Sequence, residues 1–293
     1  LSNNFIYLST GGYDTAASGQ SYFNIQDGTL GSVASAHTAK IEDYGSGWYR
    51  CSITNKTVTD LQGSFNVNFA TSNNSSNITR NGTNGVLLFG VQAEADAAKN
   101  FATSYIPTSG STVTRNKDQA TNSGDTSLIS STEGVLYAEL RMLDRTSSNF
   151  TKPVSIGDGT TSGQNNSVFL VRIQSQEDTF GASIRNPDGS SAFFSLTIPN
   201  CDEFFKFAIK YKSGENKMFL NGTEVSTNGL TLALNALDRL NLSNSVGNEN
   251  AEAEIKSVAV FKEALNNDEL ECLTGSGFDS FTALAQAGSY TII

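Results

Sequence analysis

"SFNVNFA", residues 64–70, decides the fold. Phe65, Val67 and Phe69 alternate with Ser64, Asn66 and Asn68, the period of an extended strand with one apolar and one polar face. The pattern recurs on working outward. "WYRCSIT" (48–54) sets Tyr49, Cys51 and Ile53 against Trp48, Arg50, Ser52 and Thr54. "YFNI" (22–25) places Phe23 and Ile25 inward and Tyr22 and Asn24 outward. The connecting stretches, such as "TSNNSSNITRNGTNG" (71–85), are rich in Gly, Asn, Ser and Thr. An apolar run, Val86 to Val91, reads as a buried strand. No helical stripe interrupts the series. The first hundred residues therefore read as an antiparallel sandwich with one apolar and one polar face per sheet.

A second series begins after residue 125. "VLYAELRM" (135–142) alternates Leu136, Ala138, Leu140 and Met142 with Tyr137, Glu139 and Arg141. "SVFLVRI" (167–173) and "FGASIR" (180–185) lead through the turn "NPDG" into "SAFFSLTI" (191–198). "EFFKFAIKY" (203–211) turns at "SGEN" into "KMFL", and Asn221-Gly222 then gives a two-residue hairpin signal before "TEV". Helix is expected at "NNDELECLTG" (266–275), which offers an Asn cap, acids in the first turn and a Gly stop. "SFTALAQAG" (280–288) reads as another short helical turn. The fold class is all-β: two antiparallel β-sandwich (jelly-roll) domains in tandem, with a short helix near the C-terminus. Between the two series lies "FATSYIPTSGSTVTR" (101–115), mostly Ser, Thr and Gly, with Tyr105 and Pro107 expected to pin it against the first domain. The boundaries follow as 1–106, a linker over 107–125, and 126–293.

Composition narrows the function. The chain has 293 residues and a formal net charge of −10, which argues against nucleic-acid or anionic-membrane partners, since both want a basic face. No apolar run approaches the roughly 20 residues of a membrane span. Opening on Leu1 rather than Met points to a fragment or a processed product. Three cysteines, Cys51, Cys201 and Cys272, are too scattered for a zinc knuckle and read as buried thiols, with a Cys201–Cys272 disulfide as the alternative.

Two long motifs carry a resemblance. "GSVASAHTAKIEDYGSGWYRCSIT" (31–54) and "FGVQAEADAAKNFATSYIPTSGSTVTR" (89–115) resemble a carbohydrate-binding-module-type jelly roll of bacteriophage tail-fibre and other virion proteins, over roughly residues 20–118. More loosely, "FKFAIKYKSGENKMFLNGTEV" and "SVAVFKEALNNDELECL" are similar to the penultimate hairpin and the closing strand and helix of a concanavalin A-like (laminin-G-type) domain. The resemblance implies a virion appendage exposed on the particle surface, other virion proteins and a host-surface carbohydrate as partners, and a homo-oligomer, with a trimer favoured. It also implies that earlier jelly-roll strands precede Leu1. The acidic residues that hold calcium in many lectins of the second family are not evident.

Little in the sequence points to catalysis. The sole histidine, His37, sits in a Ser/Ala/Thr-rich stretch and reads as a solvated loop residue. No G-x-S-x-G elbow and no E-x-D-x-x-E strand of the sandwich glycosidases is present. "GDGTTSG" (157–163) lacks the Lys of a phosphate loop and reads as a turn. Calcium at Asp158 is an option left open, and no other cofactor is expected. Binding is better served. Sugars are polar at their edges and apolar on their faces, so a site wants an aromatic platform beside amide or guanidinium groups. The outward faces supply Trp48 for stacking, Arg50, Asn66 and Asn68 for hydroxyls, and Tyr22 as a second platform. The expected function is non-enzymatic adhesion to glycan. The alternatives are a purely structural virion or capsid-decoration protein, and a secreted bacterial protein that binds or degrades polysaccharide.

Overall fold

A computed structural model describes residues 4–12, 18–55, 62–78, 81–83, 85–95, 101–116, 118, 120, 123–143, 150–159, 164–173, 178–244, 246 and 249–277. The second expected helical turn, 280–288, lies outside them. The chain divides into two compact units, Leu1–Arg115 and Asn116–Ile293. Both are β-sandwich-like, built from antiparallel sheets.

The first unit contains β1 (Phe5–Gly11), β2 (Gly19–Asn24), β3 (Thr29–Leu30), β4 (His37–Asp43), β5 (Tyr49–Asn55) and β6 (Ser64–Ala70). Four of them form a sheet in the order β3-β2-β1-β6, and β4 and β5 pair as a separate hairpin. The register puts Tyr7 opposite both Tyr22 and Asn68, so the residues expected to face outward on β2 and β6 do share one face. That face is not a wet one along its whole length. Tyr22 is only 3% exposed, its ring lies 4.9 Å from that of Tyr7, and both pack with Ala70 and Phe5. Its hydroxyl donates to Gln20 Oε1 at 2.9 Å. Tyr22 is therefore a core residue and not a stacking platform. Phe23, on the opposite face, is buried too.

The hairpin packs on that opposite face, and His37 pins it there. His37 is not a solvated loop residue but the first residue of β4, and it is buried. Its Nε2 is 2.8 Å from Thr10 Oγ1 on β1 and its Nδ1 is 2.8 Å from Ser21 Oγ on β2. One face of the hairpin meets the sheet again at its far end, where a Cβ on Gly28 would come within 2.5 Å of the Tyr49 ring. Gly28 holds φ at +74°, so this close approach and the turn both require glycine.

The second unit contains β7 (Glu133–Met142), β8 (Thr151–Gly157), β9 (Ser167–Arg172), β10 (Thr179–Arg185), β11 (Ser191–Thr197), β12 (Phe205–Lys212), β13 (Asn216–Leu220), β14 (Thr223–Asn228), β15 (Arg239–Asn241), β16 (Ala253–Phe261) and α1 (Asn267–Thr274). Its sheets run β11-β10-β9-β8-β15 and β14-β13-β12-β7-β16. The alternation of β7 sorts as its sequence requires: Leu136, Ala138, Leu140 and Met142 join the core between the sheets. Val135 and Tyr137 point the other way and are covered by Leu270 and Leu273 of α1. Asn266 caps that helix through a reciprocal capping box with Glu269, at 3.0 and 2.8 Å. Asn221 and Gly222 take φ of 47° and 84°, the paired left-handed geometry of a tight hairpin turn.

Three buried asparagines stitch the strandless stretch between β14 and β15 to this frame. Asn216 donates to the carbonyls of Asn228 and Leu230. Asn186 donates to Thr231 O and accepts from Ala233 N–H. Asn166 donates to Asn235 O and accepts from its N–H. An amide side chain with donors and an acceptor can satisfy backbone groups that no strand pairs.

The cysteines are free: Cys201 is buried, Cys51 half-buried and Cys272 exposed, so the disulfide alternative fails and the buried-thiol reading holds for Cys201 alone without qualification. No helix among the described residues is long and apolar enough to cross a membrane.

Burial holds the His37 imidazole below its ordinary value of 6.5. The unfolded chain then takes up the proton more readily, so stability is complete above about pH 6.5 and falls as pH drops toward the lowered folded value. Urea unfolding of the first unit, followed through its single tryptophan, is expected to show a midpoint that declines between neutral and mildly acid pH. In His37→Gln that part of the decline disappears, while the neutral-pH stability drops by about 1–3 kcal/mol as Thr10 and Ser21 lose a shared partner.

Candidate functional site

The β4–β5 hairpin ends in "DYGSGWYR", whose local chemistry dictates an unusually tight turn. Gly45, Ser46 and Gly47 all adopt left-handed backbone, with φ of 79°, 53° and 79°. Tyr44 N–H donates to Trp48 O at 2.9 Å, Trp48 N–H to Gly45 O at 3.0 Å, and Gly45 N–H to the Asp43 carboxylate at 2.7 Å. Two glycines make this geometry accessible; Ser46 accepts it at a cost of about 1 kcal/mol. The turn leaves Tyr44 61% exposed and Trp48 44% exposed, one on each side of it. Tyr44 was not singled out by the alternation pattern because it falls in the turn rather than on a strand.

Arg50 lies behind this pair on the hairpin face away from the four-stranded sheet. Its Nη1 is 3.4 Å from the Tyr44 hydroxyl, and its Nη2 donates to the carbonyl of Thr103. Across the hairpin, its register partner is Glu42, which pairs with Lys40 at 3.0 Å. Arg50 thus links the aromatic turn to the segment that carries Thr103.

That segment explains the second half of the sequence motif. The Glu94 carboxylate accepts from Thr103 N–H at 3.0 Å and Thr103 Oγ1 at 2.8 Å, and from Gln92 Nε2 at 2.7 Å. Gln92 Oε1 accepts from Ile106 N–H at 2.8 Å, and Arg115 donates to Ser104 O. Tyr105 packs 5.3 Å from Phe89, with Gly90 at φ +65° directly beneath its ring. The expected pinning role of Tyr105 is therefore real, and the segment folds back within the first unit. Burial pushes the Glu94 carboxyl up, but the hydrogen bonds from Thr103 and Gln92 and the Arg50 charge outweigh it and hold the group below its ordinary value.

The five residues singled out from sequence are not assembled into one platform. Trp48 and Arg50 belong to the hairpin, while Asn66, Asn68 and Tyr22 belong to the four-stranded sheet, and β5 pairs with neither β2 nor β6. Asn66 is exposed and lies 3.4 Å from Ser64 Oγ; Asn68 is half-buried and reaches Ser9 Oγ at 3.3 Å. They line a polar strip at the open end of that sheet face. The apolar run from Val86 to Val91 is not a buried strand: it forms no strand, and Leu87, Phe89 and Val91 are exposed, Phe89 by 77%. Apolar character alone did not supply a hydrogen-bonding partner for its backbone.

Three groups able to do chemistry are engaged or disfavoured within the fold: His37, Cys51 and Asp158. Both nitrogens of His37 meet hydroxyls, and Ser21 Oγ also accepts the Ala34 N–H. Burial pushes the Cys51 thiol up to about 12, away from the thiolate that a nucleophile needs. Asp158 Oδ2 accepts from Asn166 Nδ2 at 2.8 Å. Among the described residues no group of three or more His, Cys, Asp or Glu is placed to hold a metal ion.

No family model matches this sequence, and no curated protein matches it either. Solved structures similar to it include the CBM40 of the Ruminococcus gnavus IT-sialidase, at 19% identity over 55% of this chain and 98% of that one, with a TM-score of 0.40. The leech intramolecular trans-sialidase complexed with 2,7-anhydro-Neu5Ac shows 16% identity over 55% of this chain and 28% of that one, with a TM-score of 0.42. The receptor binding domain of botulinum neurotoxin D shows 12% identity over 50% and 38%, with a TM-score of 0.40. Likeness at these values assigns neither a family nor a ligand to this chain.

Replacing Glu94 by Ala removes the acceptor for three donors. The first unit is expected to lose about 1–3 kcal/mol of unfolding free energy, measured by urea denaturation. Trp48→Ala, which removes an exposed side chain from the turn, should stay within about 0.5 kcal/mol of the parent protein by circular dichroism. Equal effects of the two substitutions would contradict the assignment of one as a buckle and the other as a contact residue.

Proposed function

We propose that this protein is a non-enzymatic glycan-binding protein whose contact is made by Tyr44 and Trp48. The observation that carries this reading is the exposure of two aromatic side chains on a turn already locked by backbone hydrogen bonds. A rigid aromatic pair contacts the apolar face of a sugar ring at little conformational cost, and preorganisation converts directly into affinity. Asn66 and Asn68 offer amide groups to hydroxyls on a separate strip. Arg50 acts by holding the turn, not by meeting the sugar. The virion setting, the surface location and the trimeric assembly rest on the sequence resemblance. A single shallow site of this kind would bind in the millimolar range, about −4 kcal/mol, and repetition in one assembly would supply the avidity that attachment to a host surface needs.

A structural role is the second reading, and one observation favours it. Among the described residues Leu87, Phe89 and Val91 present apolar surface, as an interface between copies of the chain would. Adhesion and assembly are compatible, and the test separates them. A glycan array probed with the full chain is expected to give signals that Trp48→Ala and Tyr44→Ala each reduce by about ten-fold or more. Sedimentation of the same samples should show an oligomer that neither substitution alters. Equally silent arrays for the parent and both variants would sink adhesion and leave assembly as the function.

A further inference from the structure

The outer face of the β11-β10-β9-β8-β15 sheet carries two aligned rows of side chains. Strand register aligns Ser155, Phe169, Ser183 and Phe193 across four strands, and Ser167, Arg185 and Ser191 in the next row of the same face. Two cations converge on the Phe169 ring: Lys152 Nζ stands 4.9 Å from its centroid and Arg185 Cζ 5.5 Å. Lys152 is 1% exposed and is paired with Glu249. That carboxylate is fully employed, since Gln164 Nε2 also donates to both of its oxygens, at 2.8 and 3.1 Å. Among the described residues no carboxylate faces Arg185, whose Nε donates only to Ser183 Oγ at 3.4 Å. Two close cations are therefore served by one anion, in a chain of net charge −10. Ser155 Oγ, at the other end of the row, is buried without a hydrogen-bond partner. Lys152 is desolvated and paired, whereas Arg185 is half-buried; two like charges so close repel, and an incoming anion beside Arg185 relieves that repulsion.

Beside this charge lies an aromatic surface. Phe193, on the edge strand β11, is 49% exposed. Its ring folds over Gly181, where a Cβ would come within 2.4 Å of it. Only glycine lets the ring lie against the sheet, and Ser191 and Ser195 stand exposed on either side.

We propose that this face is a second binding site, for a saccharide that carries a carboxylate, with Arg185 taking the carboxylate and Phe193 taking the apolar face of the ring. A guanidinium offers a carboxylate two parallel donors, and its stacking on Phe169 together with its bond to Ser183 fixes its direction in advance. Lys152 does not touch the ligand. It raises the local positive potential, which selects for charge. The site is independent of the Tyr44–Trp48 turn and stands or falls separately from it.

The test compares two probes that differ only at the acid: methyl glucuronide and methyl glucoside, with N-acetylneuraminic acid as a second carboxylate source. Binding to the full-length chain is read by saturation-transfer NMR. The parent is expected to bind the glucuronide about ten-fold or more tightly than the glucoside, with a preference that fades at high ionic strength. Arg185→Gln should erase that preference, Arg185→Lys should retain part of it, and Phe193→Ala should weaken the acidic sugar by about ten-fold. Circular dichroism checks that each variant is folded. Stronger binding of N-acetylneuraminic acid than of the glucuronide would assign the site to that kind of acid, and the reverse order to uronic acids. Equal affinity of the parent for glucuronide and glucoside overturns the proposal, as does an undiminished preference in Arg185→Gln.

Discussion

The guanidinium of Arg50 is the constraint on which the first unit's surface depends. One nitrogen holds the carbonyl of Thr103, fifty-three residues away in sequence, and another approaches the hydroxyl of Tyr44. The first contact draws a segment without strands of its own onto the hairpin, where Glu94 and Gln92 complete its hydrogen bonds. The second steadies one of the two aromatic rings that the turn displays. Two of the five N–H donors of the guanidinium serve these oxygens. What Arg50 braces is a turn that leaves an indole and a phenol exposed.

The same logic runs through the second unit with different chemistry. There amides rather than a guanidinium do the bracing. Asn166, Asn186 and Asn216 reach out of strand ends and tie down backbone that would otherwise be unpaired. These three asparagines, which look like solvated loop composition, thus make interior hydrogen bonds. Among the described residues two features stand out against this network: Ser155 Oγ, buried without a hydrogen-bond partner, and Arg185, which no carboxylate faces.

Much of this architecture was legible in the sequence because strand periodicity is local. Leu136 through Met142 on β7 declare their face within a few residues, as do the Asn221-Gly222 turn and the Asn266 cap, whereas on β6 Phe65 is 56% exposed although the alternation turns it inward. The failures share one physical cause: each depends on a partner distant in sequence. Tyr22 alternates as a surface residue should, yet Tyr7 in the neighbouring strand covers it. His37 looks like a loop residue until Thr10 and Ser21 are brought to its two nitrogens. Val86 to Val91 has the composition of a core strand, but among the described residues no strand pairs with it. Trp48 was legible as an exposed aromatic; its partner Tyr44 was hidden in a turn, where a two-residue period carries no information.

Trp48 is the only indole in the chain, so its fluorescence reports on one position. Titrating the intact protein with an array-positive saccharide and following tryptophan emission tests the central claim most directly. The account predicts a saturable change in emission, as a sugar ring displaces water from a half-exposed indole, and its loss when Tyr44 is replaced by Ala. Glycan binding that is detected by another method and leaves the emission untouched would contradict it.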